Sequence, residues 1–117
     1  MNVDEVKLES LSDIENFDSL SKEHWDDFGN NPPSFKKAML GRGQVITARN
    51  DGVPVGYIVF IAVDSPFYDE KWCSVGMYYL QRAHRGRGLG AKMFSLLEQT
   101  AKETGCSRIV SSYNLKQ

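Results

Sequence analysis

Tyr79-Leu80-Gln81-Arg82-Ala83-His84-Arg85-Gly86-Arg87-Gly88-Leu89-Gly90-Ala91-Lys92-Met93 joins an apolar strand end to the first turn of an amphipathic helix through three glycines and three arginines. Strand, glycine-rich turn and helix together are a recipe for holding phosphate. Backbone N–H groups at a helix start have no partner within the helix, and the helix dipole favours an anion beside them. Glycines let the backbone approach closely, and Arg82, Arg85 and Arg87 add positive charge. Three familiar phosphate loops fail on spacing. A dinucleotide turn read from Gly86 and Gly88 meets Ala91 at its third position, and Ser111-Ser112-Tyr113-Asn114 stands where its ribose-binding acid belongs. A nucleotide P-loop would need glycine at Ala91 and a hydroxyl at Met93, although Lys92 falls in register. RNA-binding Arg-Gly tails are repeated and disordered, whereas this is a single turn between regular elements.

Downstream, Leu89, Met93, Leu96, Leu97 and Ala101 recur at helical spacing, with Glu98 and Lys102 as an i, i+4 pair. Gly105 is the natural stop, and residues 108–113 read as a short strand. Strand, crossover helix and strand predict a parallel pair joined by a right-handed crossover. Upstream, residues 72–80 form one predicted strand. Residues 45–49 and 53–63, rich in β-branched and aromatic side chains, form two more around Asn50-Asp51-Gly52, a strong hairpin signal. Residues 64–71 read as a loop. Residues 3–8 make a first strand, and Ser12 with Glu15 is a capping box for a helix running to about Asp27. Gly29-Asn30-Asn31-Pro32-Pro33 ends that helix, and Ser34 caps a second one over residues 35–40, closed by Gly41. The predicted fold is α+β, a mixed central sheet in β-α-α-β-β-β-α-β order.

The 117 residues, 41% hydrophobic and 25% charged, predict one globular domain over residues 1–117. No apolar run reaches the ~20 residues of a membrane helix, and the acidic N-terminus lacks the order of a secretory signal, so the expected location is cytoplasmic, with no membrane partner. Cys73 and Cys106 are expected as reduced thiols; with His24 and His84 isolated, no metal site or hydrolase triad is predicted. Residues 1–30 hold nine acids against Lys7 and Lys22, while the remainder carries a basic surplus densest at Arg82, Arg85, Arg87 and Lys92. That pattern predicts a local anion site rather than general nucleic-acid binding.

Arg85, Gly88 and Gly90 fit the pattern [RQ]xxGx[GA], and the segment from Tyr79 to Met93 resembles the coenzyme A motif of the GNAT acetyltransferase superfamily. Arg82 departs from it, standing where the family often has proline. The order of elements is similar to the first two-thirds of a GNAT domain. The resemblance implies an acetyl-CoA-dependent N-acetyltransferase in which a primary amine attacks the thioester directly. N–H groups of Arg85, Gly86, Arg87, Gly88, Leu89 and Gly90 would bind the pyrophosphate. Leu80, Gln81 and Arg82 would pair main chain to main chain with the pantetheine arm, as an added strand does. An N–H near Leu80 would face the thioester oxygen, and Asn114 matches an asparagine just beyond the motif's last strand. The acceptor amine is unidentified. Strand 72–80 carries no carboxylate for a base, with Ser74 at the relevant position, so Asp69 and Glu70 are the remaining local candidates. Family members usually continue with a further helix, whose tyrosine protonates the leaving thiolate, and two more strands. This chain ends before them, as a short form or a fragment, which leaves an edge strand that a second copy would cover in a homodimer. The alternative function is a non-catalytic acyl-CoA-binding or regulatory module.

Overall fold

Asp51 and Gly52 both take positive φ, 51° and 84°, as a two-residue type I′ hairpin loop requires. The computed structural model describes residues 3–10, 20, 22, 23, 44–65 and 67–111. The loop joins β2 (Gln44–Asn50) to β3 (Val53–Asp64), antiparallel, with Asn50 opposite Val53. β1 (Asp4–Ser10) pairs antiparallel with β2, and β4 (Lys71–Leu80) antiparallel with β3. β5 (Cys106–Ser111) lies parallel to β4, completing a mixed sheet in the order β1-β2-β3-β4-β5. Four of these strands start within a residue of their predicted positions. β5 begins two residues earlier than predicted, directly after Gly105, and the predicted end at residues 112 and 113 lies outside the described residues. The predicted helix over residues 35–40 also lies outside them, and of the one over 12–27 only Leu20, Lys22 and Glu23 are described, all helical.

Helix α1 (Leu89–Glu103) is the crossover between β4 and β5. Its apolar stripe of Leu89, Met93, Leu97 and Ala101 packs on Ile46, Ala48, Ile58, Phe60, Cys73 and Val75. Fully burying side chains of this size stabilises the fold by roughly 1.5–3 kcal/mol each. Gly105, with φ at 86°, terminates the helix by donating its N–H to the Lys102 carbonyl at 3.1 Å, in the left-handed conformation that glycine adopts without penalty.

The opposite face is buried as well, through Val45, Thr47, Tyr57, Val59 and Tyr79. Cover on both faces explains why β3 reads as a continuous apolar run rather than an alternation. On this second face Arg49 grips Glu9 with two nitrogens, Nε at 2.9 Å and Nη2 at 2.8 Å, and Nη1 donates to the Gly52 carbonyl at 2.7 Å. The Thr47 hydroxyl donates to the same Glu9 carboxylate.

Two irregularities shape β4. Gly76 is an extra residue, because Val59 pairs with Met77 while Phe60 pairs with Val75. Such a bulge switches which side chains face which side. Cys73 and Val75 before it, and Tyr78 and Leu80 after it, face α1, whereas Tyr79 is sent to the other face against Tyr57, ring centroids 6.2 Å apart. At the end of the strand Gly56 lies so close that an added Cβ would stand 2.8 Å from both the Tyr79 carbonyl oxygen and Leu80 Cδ1. Gly56→Ala is therefore expected to push the end of β4 outward and to lower stability by about 1–3 kcal/mol, measured by urea denaturation. An unchanged midpoint would show that this approach is not tight.

Candidate functional site

β4 loses one neighbour halfway along. β5 pairs with residues 71–75 of β4, and beyond them residues 76–80 pair with β3 alone among the described residues. The N–H of Gln81 donates to the Val55 carbonyl at 2.8 Å, so by the alternation of an antiparallel ladder the N–H and C=O of Leu80 turn away from β3, into the space β5 has left. The Leu80 carbonyl accepts a hydrogen bond from Arg85 Nε at 2.7 Å. The Leu80 N–H meets no protein acceptor among the described residues. A short unpaired edge inside a sheet is a place for an extended polar chain to lie as an added strand.

The turn that follows is held by main-chain bonds. Arg82–His84 form a single 3-10 turn, in which His84 donates to the Gln81 carbonyl at 2.9 Å and Arg85 to that of Arg82 at 3.3 Å. Gly86 and Gly88 then take φ of 85° and 83°, a conformation costing roughly 1–2 kcal/mol for a residue with a Cβ. Gly88 caps α1 with no side chain, and its carbonyl accepts the N–H of Lys92 at 3.1 Å. The consequence is a cluster of donors: among the described residues, the N–H groups of residues 86–91 meet no protein acceptor. They lie at the positive end of a 15-residue helix, an arrangement suited to a phosphate-bearing ligand.

The arginines have particular partners. Arg85, besides holding Leu80, lies 5.6 Å from the centre of the Tyr79 ring, so it ties the turn to the strand. Arg87 pairs with Asp4 at 2.9 Å and lies 3.0 Å from His84 Nδ1. The Asn50 amide and then Arg87 hold the Asp4 carboxyl below its ordinary range. Arg82 is exposed on the turn.

Leu80, Gln81, Arg82, Arg85, Gly86, Arg87, Gly88, Leu89 and Gly90 thus come together as one strand end, turn and helix start, while Asn114 lies outside the described residues. The structure does not bring Asp69 and Glu70 to this turn. They stand where the ten-residue β4 begins, about 30 Å of strand from its other end. Glu70 there accepts from Trp72 Nε1 at 2.5 Å and pairs with Arg108 at 3.3 Å. Burial, with Cys106 adding to it, pushes the Cys73 thiol up to about 11, so it stays protonated at neutral pH and is no nucleophile.

Sequence reasoning missed Glu23. Its carboxylate accepts from Gln81 Nε2 at 2.9 Å and, at a longer 3.4 Å, from the Tyr79 hydroxyl. Partners this remote in sequence follow no motif spacing, and Glu23 was one acid among nine in its segment. Among the described residues no group of three or more His, Cys, Asp or Glu side chains could hold a metal, and no helix is long and apolar enough to cross a membrane.

Residues 8–116 match the model of the Acetyltransferase (GNAT) family. The chain belongs to the GNAT acetyltransferase family. Among solved GNAT structures it is similar to a ribosomal-protein-alanine N-acetyltransferase from Brucella melitensis biovar Abortus 2308, at 22% identity and a TM-score of 0.77 over 93% of this chain and 79% of that one. An aminoglycoside acetyltransferase from an uncultured soil metagenomic sample, in complex with sisomicin, matches at 13% identity and a TM-score of 0.76, over 96% and 78% of the two chains. A predicted acetyltransferase from Clostridium acetobutylicum, solved with acetyl-CoA, matches at 16% identity and a TM-score of 0.76, over 97% and 82%. These likenesses show a shared GNAT fold. No curated protein matches the sequence significantly.

Proposed function

We propose that this GNAT domain binds acetyl-CoA at the end of β4 and transfers the acetyl group to a primary amine by direct attack. The observation that carries the proposal is the adjacency of two sets of main-chain donors without a protein acceptor among the described residues: the Leu80 N–H at the edge of β4 and the N–H cluster of residues 86–91. A diphosphate attached to an extended amide-bearing arm fits both, and acetyl-CoA, which the Clostridium relative was solved with, has that form. Bound there, it would supply an activated thioester carbonyl to the amine.

The protein's own contribution is positioning and electrostatics. N–H groups of residues 86–91 neutralise the diphosphate, and the Leu80 N–H at the strand edge meets the arm. The Leu80 N–H is aimed where negative charge grows on the carbonyl oxygen, an interaction that strengthens toward the transition state. Arg87 and Asp4 form a surface ion pair that solvent screens, weak enough for Arg87 to exchange Asp4 for phosphate. Asn114 is proposed as a further contact beyond β5. Asp69 and Glu70, at the far end of β4, take no part.

The test is thiol release from acetyl-CoA in the presence of two amine probes, an alanine-terminated peptide and sisomicin, with product mass as the second readout. Release that depends on amine and yields a product one acetyl group heavier is expected. Saturable acetyl-CoA binding without amine-dependent release is the behaviour of a non-catalytic module and would overturn the transfer half of the proposal.

A further inference from the structure

Side chains at the end of β4 point to both faces of the sheet. Toward α1 stand Leu80, on the helix-side core, and Tyr78, edge-on to Phe94 with ring centroids 5.3 Å apart. The other face carries the buried Tyr79 ring and, beside it, the exposed Glu23. Glu23 is held in place from two sides. Leu20, one helical turn earlier, is 4% exposed and anchors its stretch of chain, and residues three apart share a helix face. Gln81, adjacent to Leu80 on the proposed cofactor edge, donates to Glu23 Oε2 at 2.9 Å, while the Tyr79 hydroxyl approaches Oε1 at 3.4 Å.

Among the described residues, the partners of that carboxylate are two neutral donors and no cation. The other described acid on this face with a buried partner, Glu9, is already neutralised by Arg49 at 2.8 Å. Asp4 is engaged by Arg87 and Glu70 by Arg108. Glu23 is therefore an anion fixed against the strand that would hold the thioester, on the Tyr79 face, in a segment with nine acids and only two bases.

We infer that Glu23 is the acceptor-binding residue, selecting an acceptor that arrives as a primary ammonium and holding its nitrogen over the end of β4. This rests on the proposed acetyl-CoA site. A charge-assisted hydrogen bond of this kind makes about a tenfold difference in affinity. A neutral amine or an amide gains nothing from it.

Glu23→Gln removes the charge, keeps an acceptor oxygen for Gln81 and turns an amide NH2 to the Tyr79 hydroxyl, which can accept from it. Both proteins are titrated with acetyl-CoA and then, loaded with CoA, with the alanine-terminated peptide, with sisomicin, and with the N-acetylated peptide as the uncharged control. Expected are acetyl-CoA Kd values within about twofold of each other, at least about tenfold weaker binding of a cationic probe by the variant, and no binding of the N-acetylated peptide by either. Equal binding of the cationic probes by both proteins, or no binding of either probe by the wild type, overturns the role of Glu23 while leaving the cofactor site standing. Absence of acetyl-CoA binding by the wild type removes the cofactor site itself, a separate result.

Discussion

Gly88→Asp is expected to weaken acetyl-CoA binding by at least about a hundredfold, some 2.7 kcal/mol, while shifting Tm by no more than a few degrees. The two effects separate because of what aspartate does at a helix start. Gly88 is the N-cap of α1, with φ at 83° and no atom within 4 Å of an added Cβ. Nothing clashes, and the left-handed strain is least for Asp and Asn. The new carboxylate stands at the positive end of α1, where the helix dipole favours a negative charge, and this offsets part of the strain. The same carboxylate stands beside the donors proposed for the diphosphate and opposes it with a like charge. Calorimetric titration reads the loss of binding and a thermal melt reads the fold. A variant that binds acetyl-CoA as tightly as the wild type would show that the diphosphate lies elsewhere.

Removing Glu9 is expected to have the largest effect on stability. Its side chain and that of Arg49 are only 10% and 7% exposed, so Glu9→Ala breaks a nearly buried ion pair and takes the shared acceptor from Arg49 and Thr47. The expected cost is about 3–5 kcal/mol, read from urea denaturation at pH 7. The double variant Glu9→Leu, Arg49→Met removes both charges and is expected to recover most of that loss; no recovery would mean that the pair matters through packing.

The same pair gives stability a pH dependence. Burial pushes the Glu9 carboxyl up, but hydrogen bonds from Arg49 and Thr47 and the Arg49 charge outweigh it and hold the group below its ordinary 4.5. A lowered folded-state value means that the contribution is fully present above about 4.5 and is lost as pH falls through the folded-state value. Wild-type stability should therefore fall on acidification below that point, and Glu9→Gln should show a shallower fall.

Local chemistry was legible in the sequence. Asn50-Asp51-Gly52 dictated its hairpin because only certain residues tolerate two successive positive φ angles, and Gly105 marked the end of α1 for the same reason. The run from Leu80 to Gly90 held the strand end, turn and helix start proposed to bind the cofactor, since a turn between a strand and a helix is built from neighbours in the chain. What the sequence hid depends on contacts between distant residues. The bulge at Gly76 appears only when Val59 and Phe60 are seen opposite Met77 and Val75, and it is what separates Tyr78 from Tyr79 in the direction used here. Three arginines near three glycines looked like a uniform positive patch, yet Arg85 ties the turn to Leu80 and Arg87 rests on Asp4, some eighty residues away in sequence. Asp69 and Glu70 looked close to the motif because they precede its strand, but a ten-residue extended strand carries them far from its other end. Glu23 reaches Gln81 across 58 residues, and no spacing rule could have found it.

The central claim is that the main-chain N–H groups of residues 86–91 bind the diphosphate of acetyl-CoA. Amide NMR titration of the ¹⁵N-labelled protein tests it atom by atom, with Gly86, Gly88 and Gly90 as well-separated reporters. Saturable shifts at one equivalent, largest at these three glycines and accompanied by the Leu80 amide, are expected. Absence of saturable shifts, or saturable shifts confined to other parts of the sheet, would contradict the claim.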